Sequence, residues 1–510
     1  MTRTQNSIRN AAFAFGGQIA VLLTQLLIRW SFVAYLTDDY LSLNGLFSNI
    51  LTVLSLAELG VGTSIVFSLY RPIADNDTEK IKSLMRVYRL TYTAVGTAVL
   101  IVGLAITPFL PYLVDQMPDI PEIYVIFVMY VFNSAMTYFF SYKRSFLIAN
   151  QQKYLTTAVS AAAQIVACAA EYCILRFTHD YIIYMICVIS VTIIDNVIVT
   201  AIADAKYPFL RNKHVAKLDD GTSSEIKTNI RASLLHNIGG VVVNGTDNII
   251  ISRFVGFVYV GLYSNYHLIR AAVDSLLRPL FEAVTASFGN LSVEVADERR
   301  GEVFNRMFFA AAWLFGFSSI ALAILSGPFV SLWLGDEYLV SVPVVLIIAV
   351  NFYFKGMRYP GIAAREAMGL FRYDKWKSIA EAATNIVVSI LLARCFGVFG
   401  VLLGTLISSL ATCFWIEPLV LYRHGFGRGL GKYFIRYGLY TAVTVAAGII
   451  TRLVCGAVEL SPITSFVVKA LICLTIPNVI FAAAYFRTSE FRYYVGLISS
   501  RFKNKSIGGK

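Results

Sequence analysis

Gly45-Leu46-Phe47-Ser48-Asn49 recurs 216 positions later as Gly261-Leu262-Tyr263-Ser264-Asn265. Two further matches follow in the same order at nearly the same offset. The charged stretch with Ala74-Asp75 and Glu79-Lys80 is answered by Ala296-Asp297-Glu298-Arg299, and Ala149…Lys153-Tyr154 by Ala367…Arg372-Tyr373. One five-residue match is chance, whereas three in order mark a duplication. The copies lie among apolar segments that occupy nearly the whole chain. Of its 510 residues, 57% are hydrophobic and 15% charged, with mean hydropathy +0.66. An average soluble domain carries about 25% charged residues, so this chain has too few to cover a globular surface in water. A soluble multidomain enzyme and a disordered or collagen-like chain are both excluded.

A transmembrane helix needs about 20 mostly apolar residues to cross the hydrocarbon core. Fourteen such blocks can be read: 10–36, 43–70, 87–110, 121–142, 154–176, 181–205, 231–255, 258–287, 303–326, 338–357, 375–395, 398–421, 434–456 and 462–486. The first follows Arg3 and Arg9, as a signal peptide would. Its apolar run from Ala11 to Ile28 nevertheless exceeds an h-region of about 7–15 residues, and it reads as a retained span.

Charge placement supports the count. The net charge is +12, from 43 Lys+Arg and 31 Asp+Glu. In a soluble protein this excess would suggest nucleic acid. Here 35 of the 43 basic residues fall in the segments that lie on one side if the N-terminus is cytoplasmic (71–89, 143–153, 206–231, 299–306, 355–377, 423–436 and both ends). The opposite connections hold none, and several carry acids: Asp38 and Asp39, Asp115 and Asp119, Asp336 and Glu337. Cytoplasmic loops retain positive charge, so a miscounted helix would invert every later loop. The expected fold is all-α and polytopic, in a cytoplasmic membrane with both termini inside. It divides into an N-terminal six-helix lobe (1–205), a basic linker (206–230), a C-terminal six-helix lobe (231–421), helices 13 and 14 (422–486) and a basic tail (487–510). Six is even, so the lobes are parallel repeats about an axis along the membrane normal, as in alternating-access transporters.

Ionisable residues inside spans are costly, by about 2.5–3.5 kcal/mol each on insertion scales. They include Arg29, Glu58, Asp195, Asp247, Arg270, Asp274, Arg278 and Lys469. Glu171, Glu282 and Glu381 lie near helix ends and are expected to reach an interface. Arg270, Asp274 and Arg278 are spaced i, i+4, i+8 and share one helical face, with Pro279 directly after. Guanidinium groups bind phosphate in a bidentate way, so a cavity-facing ladder suits a pyrophosphate; an internal salt-bridge ladder pairing with neighbouring helices is the alternative. Arg29 and Lys469 add positive charge, and Lys469 can instead snorkel outward. Asp247, Glu58, Asp195 and Asp274 are the candidate cavity acids, or the sites of an H+ or Na+ coupling step. Glu58 in Leu56-Ala-Glu58-Leu-Gly60-Val-Gly62 is flanked by glycines that also permit close helix packing.

Other motifs carry little. Asp75-Asn-Asp77 matches a metal-dependent DxD but sits in a short charged loop with no nucleotide-binding domain. Gly425-Phe-Gly427-Arg-Gly429-Leu-Gly431 lacks the Lys-Ser/Thr of a P-loop. The seven cysteines all lie in apolar stretches without CxxC or Cys/His spacing. No metal, cofactor or nucleic acid is expected.

Leu54-Ser-Leu-Ala-Glu58-Leu-Gly-Val-Gly-Thr63 resembles the second-helix signature of bacterial polysaccharide transporters. Thr246-Asp247-Asn-Ile-Ile-Ile-Ser-Arg-Phe-Val-Gly256…Val260-Gly-Leu-Tyr263 resembles the seventh-to-eighth-helix signature of the same group. These are the O-antigen and capsule flippases of the multidrug/oligosaccharidyl-lipid/polysaccharide exporter superfamily. The resemblance implies a non-enzymatic monomer that flips an undecaprenyl-pyrophosphate-linked oligosaccharide across a bacterial cytoplasmic membrane. It carries over to Glu58, Gly60, Gly62, Asp247, Gly256, Gly261 and Tyr263. Helices 13 and 14 resemble those that hold the lipid tail in peptidoglycan-precursor flippases. A cation-coupled multidrug exporter of the same superfamily is the alternative. A membrane-embedded polymerase or ligase would need larger outer loops.

Overall fold

Large apolar side chains cover the outside of this molecule. Val166 and Leu453 are 68% and 70% exposed, and Leu90, Ile101, Leu391 and Val479 are similarly open. In hydrocarbon, apolar atoms need no hiding, but every backbone N–H and C=O must be paired within its own segment. The described residues accordingly fold into helices. Ten of these are long and apolar enough to cross a membrane. The computed structural model describes residues 3–58, 61–114, 118–150, 152–211, 218, 220–294, 297–374, 376–426 and 429–507; Gly60, Asp115, Ala296 and Gly427 lie outside them.

Two compact units emerge. The first comprises residues 1–264 and 378–404, the second residues 265–377 and 405–510. These bounds differ from the 205/231 division expected from the repeat. The first unit holds α1 (Arg3–Tyr35), α2 (Asp38–Leu54), α3 (Val61–Ala74), α4 (Thr78–Ile106), α5 (Leu110–Leu113), α6 (Ile123–Ala149), α7 (Lys153–Thr178), α8 (Tyr181–Lys206), α9 (Asp220–Phe254) and the start of α10 (Phe257–Glu294). The second holds the rest of α10, then α11 (Asp297–Trp333), α12 (Val342–Ala367), the end of α13 (Lys377–Ala411), α14 (Cys413–Val420), α15 (Gly431–Gly456), α16 (Pro462–Tyr485) and α17 (Ser489–Ile507).

Local chemistry sets the helix ends. Asp180 opens α8 by accepting from the amides of Ile182 and Ile183 at 2.7 and 3.1 Å, as an N-cap does. Asp77 accepts from the Lys80 amide at 3.0 Å and starts α4. The DxD-like motif is thus spent on a helix cap and an Arg71–Asp75 pair at the surface.

Three expectations need correction. The second span is not one helix: after α2 the chain tightens into a 3-10 turn over Ser55–Glu58 before α3 begins. The tenth span does not end at 357. α12 runs on to Ala367, which takes Lys355, Arg358 and Arg365 out of the supposed loop. Glu171 and Glu381 do not reach an interface; they are buried, on α7 and near the start of α13 (Lys377–Ala411). The eleventh and twelfth spans form a hairpin inside α13, reversing at Gly397 with φ 60° and ψ −139°. That region is essentially reserved for glycine. Across the hairpin Ser389 Oγ donates to the Val401 carbonyl at 3.0 Å.

The duplicated motif has a physical role within the first unit. The Gly261 amide donates to Ser42 Oγ at 3.2 Å. A Cβ on Gly45 would meet Val260 Cγ1 and Ser264 Cβ at 3.1 and 3.3 Å. Each motif glycine therefore packs against the chain around its counterpart, a close approach that small residues allow in membranes.

Candidate functional site

In the first unit, Arg29 is buried on α1 and hydrogen-bonds to Ser264 Oγ and, at 3.4 Å, to Asn44 Oδ1. Asn44 donates in turn to the Tyr130 hydroxyl at 2.6 Å, which shares a proton with the Tyr181 hydroxyl at 2.7 Å. Arg29 is thus one end of a polar chain across α1, α2, α6 and α8. The guanidinium, which can only donate, meets acceptor oxygens of a hydroxyl and an amide here.

The candidate acids of this unit fall into separate places. Glu58 ends the 3-10 turn and accepts from the Tyr92 hydroxyl at 2.7 Å. Asp195 on α8 pairs with Arg144 at 2.5 Å, and Ser160 donates to it at 3.2 Å, which ties α6, α7 and α8 together. Asp247 is buried on α9, where its neighbour Asn248 donates to the Gly45 carbonyl at 3.2 Å. Gly256, with φ 138°, makes the turn from α9 to α10.

The second unit receives the Arg270, Asp274 and Arg278 ladder on α10, but the rungs do not pair with one another. Asp274 accepts from the Tyr359 hydroxyl at 2.8 Å and pairs with Lys355 at 3.3 Å, both on α12. Arg270 bonds to His267 at 2.9 Å, one turn back. Arg278 pairs with Glu282 at 3.1 Å, and these two side chains are 54% and 61% exposed. The alternative expected from the sequence, a salt-bridge ladder that pairs with neighbouring helices, is met at its acid alone. Its acid is taken by the next helix, which leaves both arginines with partners local to their own turns. Arg270 and Arg278 still lie near enough to Lys355 to interact electrostatically. The result is three cations around one well-held carboxylate, with one guanidinium half in the open.

A second cluster escaped the sequence reading. Glu417 on α14 accepts from Arg358 Nε and Nη2 at 3.1 and 2.9 Å and from Lys377 at 2.6 Å. Arg365 stands 3.8 Å away and bonds to Asp374, which also pairs with Lys377 at 3.3 Å. Arg365, Asp374, Lys377 and Glu417 are all buried. Lys355, Arg358 and Arg365 had been counted as loop charges. Their spacing of three and ten positions, one helical face, was the available signal, as was Glu417 in an apolar run. Sequence counting gave more embedded acids than embedded bases. These three bases enter the helices together with two acids, Glu366 on α12 and Glu417 on α14.

Lys469 lies elsewhere, beside an apolar groove between α11, α12 and α15. Its two parts, about 360 and 500 Å³, share Ala323, Ile324 and Arg452, and the second is also lined by Lys469. The walls are Ile320, Leu346, Val350 and Val445. The groove thus carries two cations at the end where α15 finishes.

No protein-family model matches the chain, and no curated protein sequence matches it. Solved structures do. A lipid II flippase, MurJ, in an inward-closed conformation superimposes with a TM-score of 0.67 at 13% identity, covering 94% of this chain and 99% of that one. The chain shares that fold. A multidrug resistance MATE family transporter of the MOP superfamily, inward-facing, gives 0.63 at 13% identity over 80% of this chain and 99% of that one. A mutant of the Vibrio cholerae MATE transporter VcmN gives 0.57 at 14% identity, covering 84% and 98%. The architecture is therefore the all-helical, polytopic one found in these transporters.

Proposed function

We propose that this chain flips a lipid-linked oligosaccharide, carried on undecaprenyl pyrophosphate, across a bacterial cytoplasmic membrane for surface polysaccharide synthesis, by alternating access and with both termini cytoplasmic. The two six-helix lobes and helices 13 and 14 read from the repeat belong to this proposal, as do a monomeric state and an H+ or Na+ coupling step. No bond is made or broken in such a cycle.

The observation that carries the reading is the cationic cluster on α10 and α12. Arg270, Arg278 and Lys355 gather around Asp274, whose charge is already engaged by Lys355 and Tyr359. A half-exposed guanidinium in such a setting suits a phosphate oxygen pair, to which arginine binds with two parallel hydrogen bonds. Arg29 is a further cation for the same class of substrate. The groove beside Arg452 and Lys469 offers apolar walls to a hydrocarbon chain, with positive charge where a phosphate would sit.

Replacing Arg270 and Arg278 together with alanine is expected to abolish surface polysaccharide while the protein stays in the membrane. Unchanged polysaccharide would remove the proposal. The MATE-like fold also favours a second reading, a cation-coupled multidrug exporter with Asp274, Glu58 or Asp247 as the coupling acid. Cation-driven drug efflux from vesicles, lost on Asp274→Asn and kept in the double arginine variant, would select it.

A further inference from the structure

A basic pocket of about 660 Å³ opens in the first unit, lined by none of the residues assigned above. It forms where the start of α4, the end of α6 and the turn after α8 meet. Lys82, Arg86, Arg89, Lys143 and Arg211 line it, against the single lining carboxylate of Asp204. Asp204 is already committed: it holds the buried Lys143 ammonium at 2.6 and 2.7 Å and faces Arg211 at 3.9 Å. Lys82 is taken by Glu79 at 2.7 Å. Arg86 and Arg89 are both exposed, and Arg89 pairs with no carboxylate among the described residues. Pockets of a few hundred Å³ with apolar walls and a few placed charges are the usual form of a ligand site. This one sets five basic side chains against one lining carboxylate, a composition that suits an anion.

The walls show what the anion is attached to. Met85, Leu90, Phe209 and Leu210 make the apolar side. Leu90 is 61% exposed, and on the same helix Ile101 and Leu104 are also exposed. Eleven and fourteen positions from Leu90 return to one face of an α-helix. With Ala94 and Thr97 between them, and the Thr97 hydroxyl turned back to the Thr93 carbonyl at 2.8 Å, a mainly apolar stripe therefore leads away from the arginines along the outside of α4. A free phosphate would have no use for it, whereas a hydrocarbon chain would.

We propose that this pocket binds the phosphate of an anionic membrane phospholipid, with Arg86 and Arg89 on the headgroup and an acyl chain along Leu90, Ile101 and Leu104. The assignment to the cytoplasmic leaflet rests on the orientation proposed above, where anionic headgroups attract basic side chains. Binding itself does not depend on which substrate the protein transports.

The test is retention of added phosphatidylglycerol by the purified full chain in detergent, read by native mass spectrometry. Phosphatidylcholine serves as the neutral comparison. Losing a direct hydrogen bond to a charged group costs about tenfold in binding, so R86Q/R89Q is expected to weaken phosphatidylglycerol binding about a hundred-fold. R71Q/K80Q removes the same charge from exposed positions outside the pocket and should leave binding unchanged. Equal retention by wild type and R86Q/R89Q overturns the proposal. An equal loss in R71Q/K80Q overturns it as well, because the attraction would then be diffuse. Displacement of the lipid by inorganic pyrophosphate at matching concentration would make the site one for free phosphate, and equal binding of phosphatidylcholine would remove the headgroup claim. Loss of polysaccharide transport in some other variant bears on none of these outcomes.

Discussion

Glu417→Gln is the sharpest probe of the buried charge network. The wild-type carboxylate faces Arg358 at 2.9 Å, Lys377 at 2.6 Å and Arg365 at 3.8 Å. Together with Asp374 it offsets three cations. Glutamine keeps the shape and an acceptor oxygen but removes the charge, so Arg358 loses its carboxylate and Asp374 is left to Arg365 and Lys377. Breaking a buried ion pair from one side costs about 3–5 kcal/mol, because the partner is left uncompensated away from water. Cys413, buried four residues earlier at the start of α14, reports the outcome. With Cys413 as the sole thiol, maleimide labelling tracks the opening equilibrium of this region when closing outpaces reaction. The cost above then corresponds to labelling faster by about 10²–10⁴-fold. Lys377→Met added to Glu417→Gln should recover part of the protection, since residues in one network couple by about 0.5–3 kcal/mol. A rate within about threefold of wild type for Glu417→Gln would refute the reasoning, and so would a double variant worse than the sum of the two singles.

Two backbone positions give further checks. Gly397→Ala forces a Cβ into the φ 60°, ψ −139° turn of the α13 hairpin and should cost about 1–3 kcal/mol. An unchanged thermal midpoint of the purified protein would show that the hairpin turn tolerates side chains. Gly261→Ala would place a Cβ 2.6 Å from Ser42 Oγ, an overpacking of about 1–3 kcal/mol. Ser42→Ala in the same chain should restore most of the loss, and absence of rescue would move the cause away from that contact.

The sequence by itself determined the architecture and the places where charge is expensive. Hydropathy and the alternation of loop charge need no tertiary information, because the bilayer acts on each segment separately through its length and polarity. The repeat around Gly45 and Gly261 was legible for the same reason, and Arg29, Asp247 and the α10 ladder were visible as charges in apolar runs. Only the tertiary structure decided what those charges do. Asp274 turned from its two helical neighbours to Lys355 and Tyr359 on α12, and Asp195 was claimed by Arg144 from a segment counted as loop. Lys355, Arg358 and Arg365 read as solvated because a basic stretch beside a span looks like a cytoplasmic connection. They stand on a helix where Glu417 and Asp374 bring countercharge to Arg358 and Arg365, and Asp274 on α10 brings it to Lys355. Ion pairing acts over a few ångströms in space regardless of distance along the chain, so its partners are settled by packing and not by local sequence.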